Sequence, residues 1–178
     1  MHNFRKHFLF ATAIAVMLIM SVLRASAQSG TPDVIQDGAR SVPIYDFDGL
    51  RPLLSEQNDT TYVVNFWATW CAPCVEELPY FEALTKEKTD KPLRVLLVSL
   101  DFRKQLTSRL LPFLKRFDIQ SRVVVLDDPD ANSWIDQVDP SWSGAIPATL
   151  VFRGEKRVFR EQTFTRDELF QLVESFME

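Results

Sequence analysis

Apolar positions change their period several times along this chain, and each change marks a predicted element. Thr60 to Trp67 (TTYVVNFW) and Leu93 to Leu100 (LRVLLVSL) are β-branched, aliphatic and aromatic runs of strand length, the pattern of strands covered on both faces. Val42 to Phe47 and Arg122 to Leu126 read as two further strands. Ala148 to Arg153 and Lys156 to Glu161 read as a hairpin around Gly154-Glu155. Between the strands the spacing turns helical. Leu106, Leu110, Phe113, Leu114 and Phe117 share one face, predicting an amphipathic helix over 104–118 with a kink at Pro112. A helix from Ala72 to Lys88 follows the first long strand, with shorter ones over Leu50 to Glu56 and 130–138.

The last helix carries the clearest signals. Thr165 and Glu168 form a capping box, Phe164 and Leu169 can close a hydrophobic staple, and Leu169, Leu172, Val173 and Phe176 supply a buried stripe. Strands alternating with helices, then a hairpin and a terminal helix, predict an α/β domain over 41–178 whose sheet is covered by helices on its faces.

The N-terminus follows a different pattern. Arg5 and Lys6 precede an apolar run from Phe8 to Leu23, and Ala25-Ser26-Ala27 supplies small residues for cleavage, so residues 1–27 read as a signal peptide with Gln28 as the first mature residue. The alternative is an uncleaved membrane anchor, since the run is only slightly short of a spanning helix. Either way the domain is expected outside the cytoplasm. Residues 28–40, polar with Gly, Pro and Ser, read as a flexible lead-in.

Removing the signal alters the chemistry on offer. His2 and His7 leave with it, so the mature domain has no histidine. Lys plus Arg falls from 20 to 17 while Asp plus Glu stays at 24, which leaves a formal charge of −7. That balance argues against nucleic acid as a partner, because phosphate binding needs a basic surface.

The two cysteines, Cys71 and Cys74, end a predicted strand and open a predicted helix. A thiol at a helix N-terminus meets unsatisfied backbone N–H groups and the positive end of the helix dipole, which favour the reactive thiolate. Cys71 is therefore the expected nucleophile and Cys74 the residue that resolves a mixed disulfide. Three other readings exist. A structural disulfide enclosing two residues constrains an unfolded chain very little. A metal site needs more ligands than two thiolates, and no histidine or third cysteine remains to supply them. Peroxide reduction needs a polar group near the thiolate, for which Thr69 is a weak candidate.

The run Asn65-Phe66-Trp67-Ala68-Thr69-Trp70-Cys71-Ala72-Pro73-Cys74-Val75-Glu76-Glu77-Leu78-Pro79 resembles the active-site segment of thioredoxin-like proteins of the TlpA and ResA type, and the resemblance extends from about Val42 to the C-terminus. It implies a thioredoxin-like fold, with a central mixed sheet flanked by helices and a short N-terminal extension. It also implies a periplasmic or cell-surface thiol:disulfide oxidoreductase, often a reductant of exported proteins, working without a cofactor and fed by a membrane electron donor. Its partners would be exported protein disulfides or dithiols. The alternatives are a thiol oxidase or isomerase, or a non-catalytic module that binds metal or polypeptide.

Further positions acquire roles through this resemblance. Glu77 matches an acidic residue that assists proton transfer at the buried cysteine, whereas Glu76 reads as a solvated charge. Pro79 matches a proline that kinks the helix. Gly144-Ala145-Ile146-Pro147-Ala148-Thr149 resembles the loop carrying a cis proline, so the Ile146-Pro147 bond is expected to be cis and to face the cysteines, with the backbone at Ile146 pairing an extended substrate segment. Trp70, Pro73, Ile146 and Pro147 are the expected substrate contacts. Trp67 reads as core, and Trp142 as a loop aromatic near the same surface. Asn65 stands where thioredoxin has a buried aspartate; it reads as a core polar residue satisfied by backbone, and proton transfer falls to Glu77 or water.

Overall fold

The structure, a computed structural model, describes residues 32–88, 90 and 92–177. The expected signal segment, residues 1–27, lies outside the described residues. Seven strands form one mixed sheet: β1 (Asp33–Asp37), β2 (Arg40–Tyr45), β3 (Thr61–Trp67), β4 (Leu93–Ser99), β5 (Arg122–Leu126), β6 (Ala148–Arg153) and β7 (Lys156–Arg160). Their spatial order is β1-β2-β5-β4-β3-β6-β7. The four strands β2, β5, β4 and β3 run parallel, and β1, β6 and β7 are antiparallel to their neighbours.

Parallel neighbours require crossovers, and the helices supply them on both faces. The helices are α1 (Phe47–Leu50), α2 (Ala72–Glu87), α3 (Leu111–Arg116), α4 (Ala131–Val138) and α5 (Arg166–Glu174). Because side chains alternate along a strand, β3 feeds two cores. Val63 and Trp67 join Leu78, Phe81, Leu84, Leu114, Leu169 and Val173 under α2, α3 and α5. Val64 and Phe66 join Phe47, Leu50, Trp134 and Val138 under α1 and α4. A strand that must satisfy both cores reads as a continuous apolar run, which is the pattern seen in its sequence.

Three local expectations need correction. Part of the stretch read as a flexible lead-in enters the sheet: Asp33–Asp37 pairs with β2 from Asp33↔Ile44 to Asp37↔Arg40. Gly38, at φ +60°, makes the intervening turn. This strand is mostly exposed, so it is held by its hydrogen-bonded ladder and shows almost no apolar alternation.

The second correction concerns the amphipathic helix over 104–118. It is a 3-10 turn (Arg103–Gln105), a π-helical turn (Leu106–Leu110) and only then α3. Pro112 explains the widening. It has no N–H to give the carbonyl of Ser108 and its ring crowds that carbonyl, so the ladder opens and Leu111 N–H bonds five residues back to Leu106. Third, the first short helix starts at Phe47 and gives way to a 3-10 turn at Arg51–Leu54, because Asp46 caps it by accepting the Gly49 N–H at 2.8 Å. Among the described residues no helix is long and apolar enough to cross a membrane.

The C-terminal helix forms as its sequence signals require. Thr165 accepts from Glu168 N–H, Glu168 accepts in turn from Thr165 N–H at 2.9 Å, and Phe164 and Leu169 are both buried. Thr165→Ala is expected to lower the unfolding free energy by about 1 kcal/mol, and Thr165→Asp to retain most of it. Urea denaturation followed by circular dichroism measures the difference.

Candidate active site

β3 delivers the chain to its C-terminal end at Trp67, and four residues later Cys71 becomes the N-cap of α2. The Cys71 amide closes a turn onto the Ala68 carbonyl at 3.1 Å. Its sulfur accepts the Cys74 N–H at 3.3 Å, the place a capping oxygen would take. Pro73 sits exposed at the second helical position, where a missing N–H costs no intrahelical bond. Cys71 and Cys74 are joined in a disulfide. Cys71 is 6% exposed and Cys74 fully buried, which matches an attacking and a resolving sulfur. A thiolate on Cys71 would keep the Cys74 N–H as a fixed donor beside the helix dipole.

The Ile146-Pro147 bond is cis, as the resemblance implies. The Ile146 carbonyl oxygen lies 3.7 Å from the Cys71 sulfur, so the loop does face the pair. Pro147 is buried and Ile146 half-buried. Trp142, read only as a nearby loop aromatic, is buried and donates its indole N–H to the Ala145 carbonyl at 2.8 Å. Glu161 grips the other end, accepting from the Ser143 N–H at 2.8 Å and from its hydroxyl. Loop 143–147 is therefore clasped on both sides before any substrate arrives. Trp67 is core as expected, and Trp70 is 45% exposed beside Cys71.

Glu77 follows Cys74 by one helical turn and is completely buried. Its carboxyl accepts the Asn65 amide at 3.0 Å and the Phe164 N–H at 2.8 Å. Burial dominates these bonds and raises its pKa from the ordinary 4.5 to about 7. Asn65 pairs across strands with Thr149 and donates to its hydroxyl at 3.1 Å. The amide is thus held by two side chains rather than by backbone, which corrects the expectation, and its Oδ1 has no partner. Pro79 lies inside the unbroken α2 and supplies no N–H to the Val75 carbonyl.

Sequence reasoning passed over Asp101. Almost fully buried at the end of β4, it accepts the Thr69 N–H at 3.1 Å, the Thr69 hydroxyl at 2.5 Å and the Ser99 hydroxyl at 2.9 Å. It thereby fastens the loop before Cys71. The available signal was an acidic residue directly after a buried strand, a weak one without knowledge that β3 and β4 pair from Thr61↔Leu93 to Trp67↔Ser99.

With this geometry in view, known proteins supply relatives. Residues 48–152 match the Redoxin family. The thiol-disulfide oxidoreductase ResA of Oceanobacillus iheyensis is 30% identical over 105 residues, 54% of this chain and 55% of that protein. The thioredoxin-like protein YneN of Bacillus subtilis is 30% identical over 93 residues, 51% of this chain and 54% of the relative. The chain thus spans about half the length of these curated relatives. Among solved structures, a thiol:disulfide interchange protein of the thioredoxin family from Chlorobium tepidum superposes with a TM-score of 0.58 at 17% identity, covering 86% of this chain and 100% of that one. That likeness carries the fold, which is thioredoxin-like, while the sequence match extends over more than half of the chain and includes both cysteines: the chain belongs to the Redoxin family.

Proposed function

We propose that this protein is an extracytoplasmic thiol:disulfide oxidoreductase that reduces disulfides in exported proteins. The observation that carries the reading is the Cys71–Cys74 disulfide at the N-terminus of α2, with the Ile146 carbonyl against the outer sulfur. The relatives named as oxidoreductases support the chemistry, and the export-type N-terminus supports the compartment.

In the reducing direction the pair starts reduced, Cys71 as a thiolate whose proton has gone to solvent and Cys74 as a thiol. The Cys71 thiolate attacks one sulfur of the substrate disulfide; that S–S bond breaks, a Cys71–substrate disulfide forms, and the other substrate sulfur leaves as a thiolate. Cys74 then loses its proton and attacks the Cys71 sulfur. The Cys71–Cys74 bond forms and the second substrate thiolate leaves, so two electrons pass from the pair to the substrate. Glu77, one helical turn after Cys74 and with its pKa raised by burial to about 7, is assigned the role of taking the Cys74 proton. Because the exported compartment is oxidising, a membrane electron donor must return the pair to the dithiol state.

Direction is set by the reduction potential, read by equilibrating the protein with defined dithiol buffers while following tryptophan fluorescence. A value near or below about −230 mV is expected; one above about −150 mV would make the protein an oxidase or isomerase. A pair that never equilibrates would remove the redox reading. Cys74→Ser should accumulate a mixed disulfide on Cys71 visible on non-reducing gels, and Cys71→Ser should form none.

Glu77 adds a pH dependence with a defined sign. Its folded pKa of about 7 lies above the ordinary 4.5, so the folded state holds its proton more tightly than the unfolded chain does. The resulting stability is fully present below pH 4.5 and is lost as pH rises through about 7. The loss amounts to about 3 kcal/mol. Glu77→Gln should abolish this slope in urea titrations of the oxidised protein. It should also slow resolution of the mixed disulfide by at least about tenfold and erase the inflection near neutral pH in that step.

A further inference from the structure

Among the described residues four large apolar side chains are substantially exposed: Val34, Trp70, Phe102 and Phe117. Two of them stack on each other next to the nucleophile. Trp70 is the chain neighbour of Cys71, and its ring centroid lies 6.2 Å from that of Phe102, the planes inclined by 20°. Phe102 is 63% exposed, the most of the four. Scattered exposed apolar residues need no explanation, but a paired and positioned set does.

The positioning is built into the backbone on both sides. Asp101, one residue before Phe102, receives the Thr69 N–H and hydroxyl, one residue before Trp70, and is itself anchored through Ser99. After Phe102 the chain turns at once into the 3-10 segment, with Gln105 N–H bonded to the Phe102 carbonyl at 2.8 Å. A buried carboxylate thus ties the two ring-bearing loops together, and the rings face solvent where neither contributes a filled core position. Two aromatic rings held this way offer contact area at little entropic cost on binding.

We propose that Phe102 is a specificity-determining residue: with Trp70 it forms an aromatic platform that takes an aromatic or long aliphatic side chain adjacent to the reacting cysteine of an extended polypeptide disulfide. Trp70 adjoins Cys71 in the chain, and the Cys71 sulfur lies 3.7 Å from the Ile146 carbonyl, so the platform flanks the place where a substrate disulfide would react. The inference rests on the exchange reaction proposed above and adds the substrate class: apolar-flanked polypeptide disulfides, in preference to small or glycine-flanked ones.

The test uses the reduced full-length protein and two peptides, identical except for Phe or Gly beside a cysteine joined to glutathione. Rate constants for glutathione release are read by acid quench and chromatography. The wild type should favour the Phe peptide by about tenfold, the scale of one well-packed aromatic contact. Phe102→Ser should bring that ratio to near unity while leaving the Gly-peptide rate, the reduction potential and the urea midpoint unchanged; Phe102→Tyr should restore the preference. Equal wild-type rates on the two peptides, or a preference that survives Phe102→Ser, would overturn the platform while leaving the oxidoreductase intact. Self-association abolished by Phe102→Ser, without peptide preference, would assign the pair to a contact between copies and also overturn it. Failure to exchange with either peptide would sink the underlying reaction and the platform together.

Discussion

The Cys71 sulfur occupies the N-cap of α2, and most of what surrounds it follows from that placement. An N-cap must lie outside helical geometry while turning its side chain back to the first amides, and Cys71 does so at φ −90° and ψ 99° with the Cys74 N–H pointing at its sulfur. The residue therefore has to follow a strand end by a short turn, which the Cys71 N–H to Ala68 carbonyl bond closes. It also has to be followed by residues tolerant of the first helical turn, a demand met by Ala72 and Pro73. The second cysteine is then carried under the first by helical pitch alone.

Beneath the disulfide the apolar core contains a small polar network whose satisfaction depends on protonation. Asn65, Thr149 and Glu77 lie on one side of the sheet because Asn65 and Thr149 are cross-strand partners and Glu77 faces them from α2. The Asn65 amide donates twice and its Oδ1 has no partner. A buried acceptor without a donor costs on the order of 1–3 kcal/mol. The opposite amide orientation would offer Oδ1 to the Thr149 hydroxyl and to a protonated Glu77. An ionised carboxylate favours the first arrangement and a protonated one the second, so Asn65 accommodates both protonation states of Glu77. An aspartate at this position would add a second buried charge.

Much of this was legible in the chain because the informative residues face two cores at once. The continuous β-branched, aliphatic and aromatic runs at Thr61–Trp67 and Leu93–Ser99 read as buried strands, and the Thr165 box and the cysteine pair are local signals that need no tertiary knowledge. What stayed hidden was held together by distant backbone. β1 is specified by its ladder to β2, not by its own exposed side chains. The π-helical turn keeps the apolar spacing of an α-helix, so periodicity at Leu106 and Leu110 cannot separate the two. Asp101 and Asn65 have partners 32 and 84 residues away, which no motif spacing encodes.

The convergence of these separated pieces is a property of the sheet. β3 and β4 are parallel and in register, so Trp67 and Ser99 end side by side, and the loops leaving them emerge at the same edge. β6 runs antiparallel to β3 with Ala148 opposite Phe66, so its N-terminal end, and the Ile146-Pro147 loop before it, reaches that edge as well. One sheet edge thus collects Cys71, the Asp101–Phe102 loop and the backbone carbonyl that faces its sulfur. This is where open α/β sheets present their crevice, beyond the carboxyl ends of the parallel strands. In the proposed reaction, an extended substrate laid along that edge would cross all three loops. Under that proposal, pairing with the Ile146 backbone would be indifferent to sequence, and discrimination among disulfides would come from the side chains flanking the contact. Trp70 and Phe102 are the large exposed apolar ones the fold holds there.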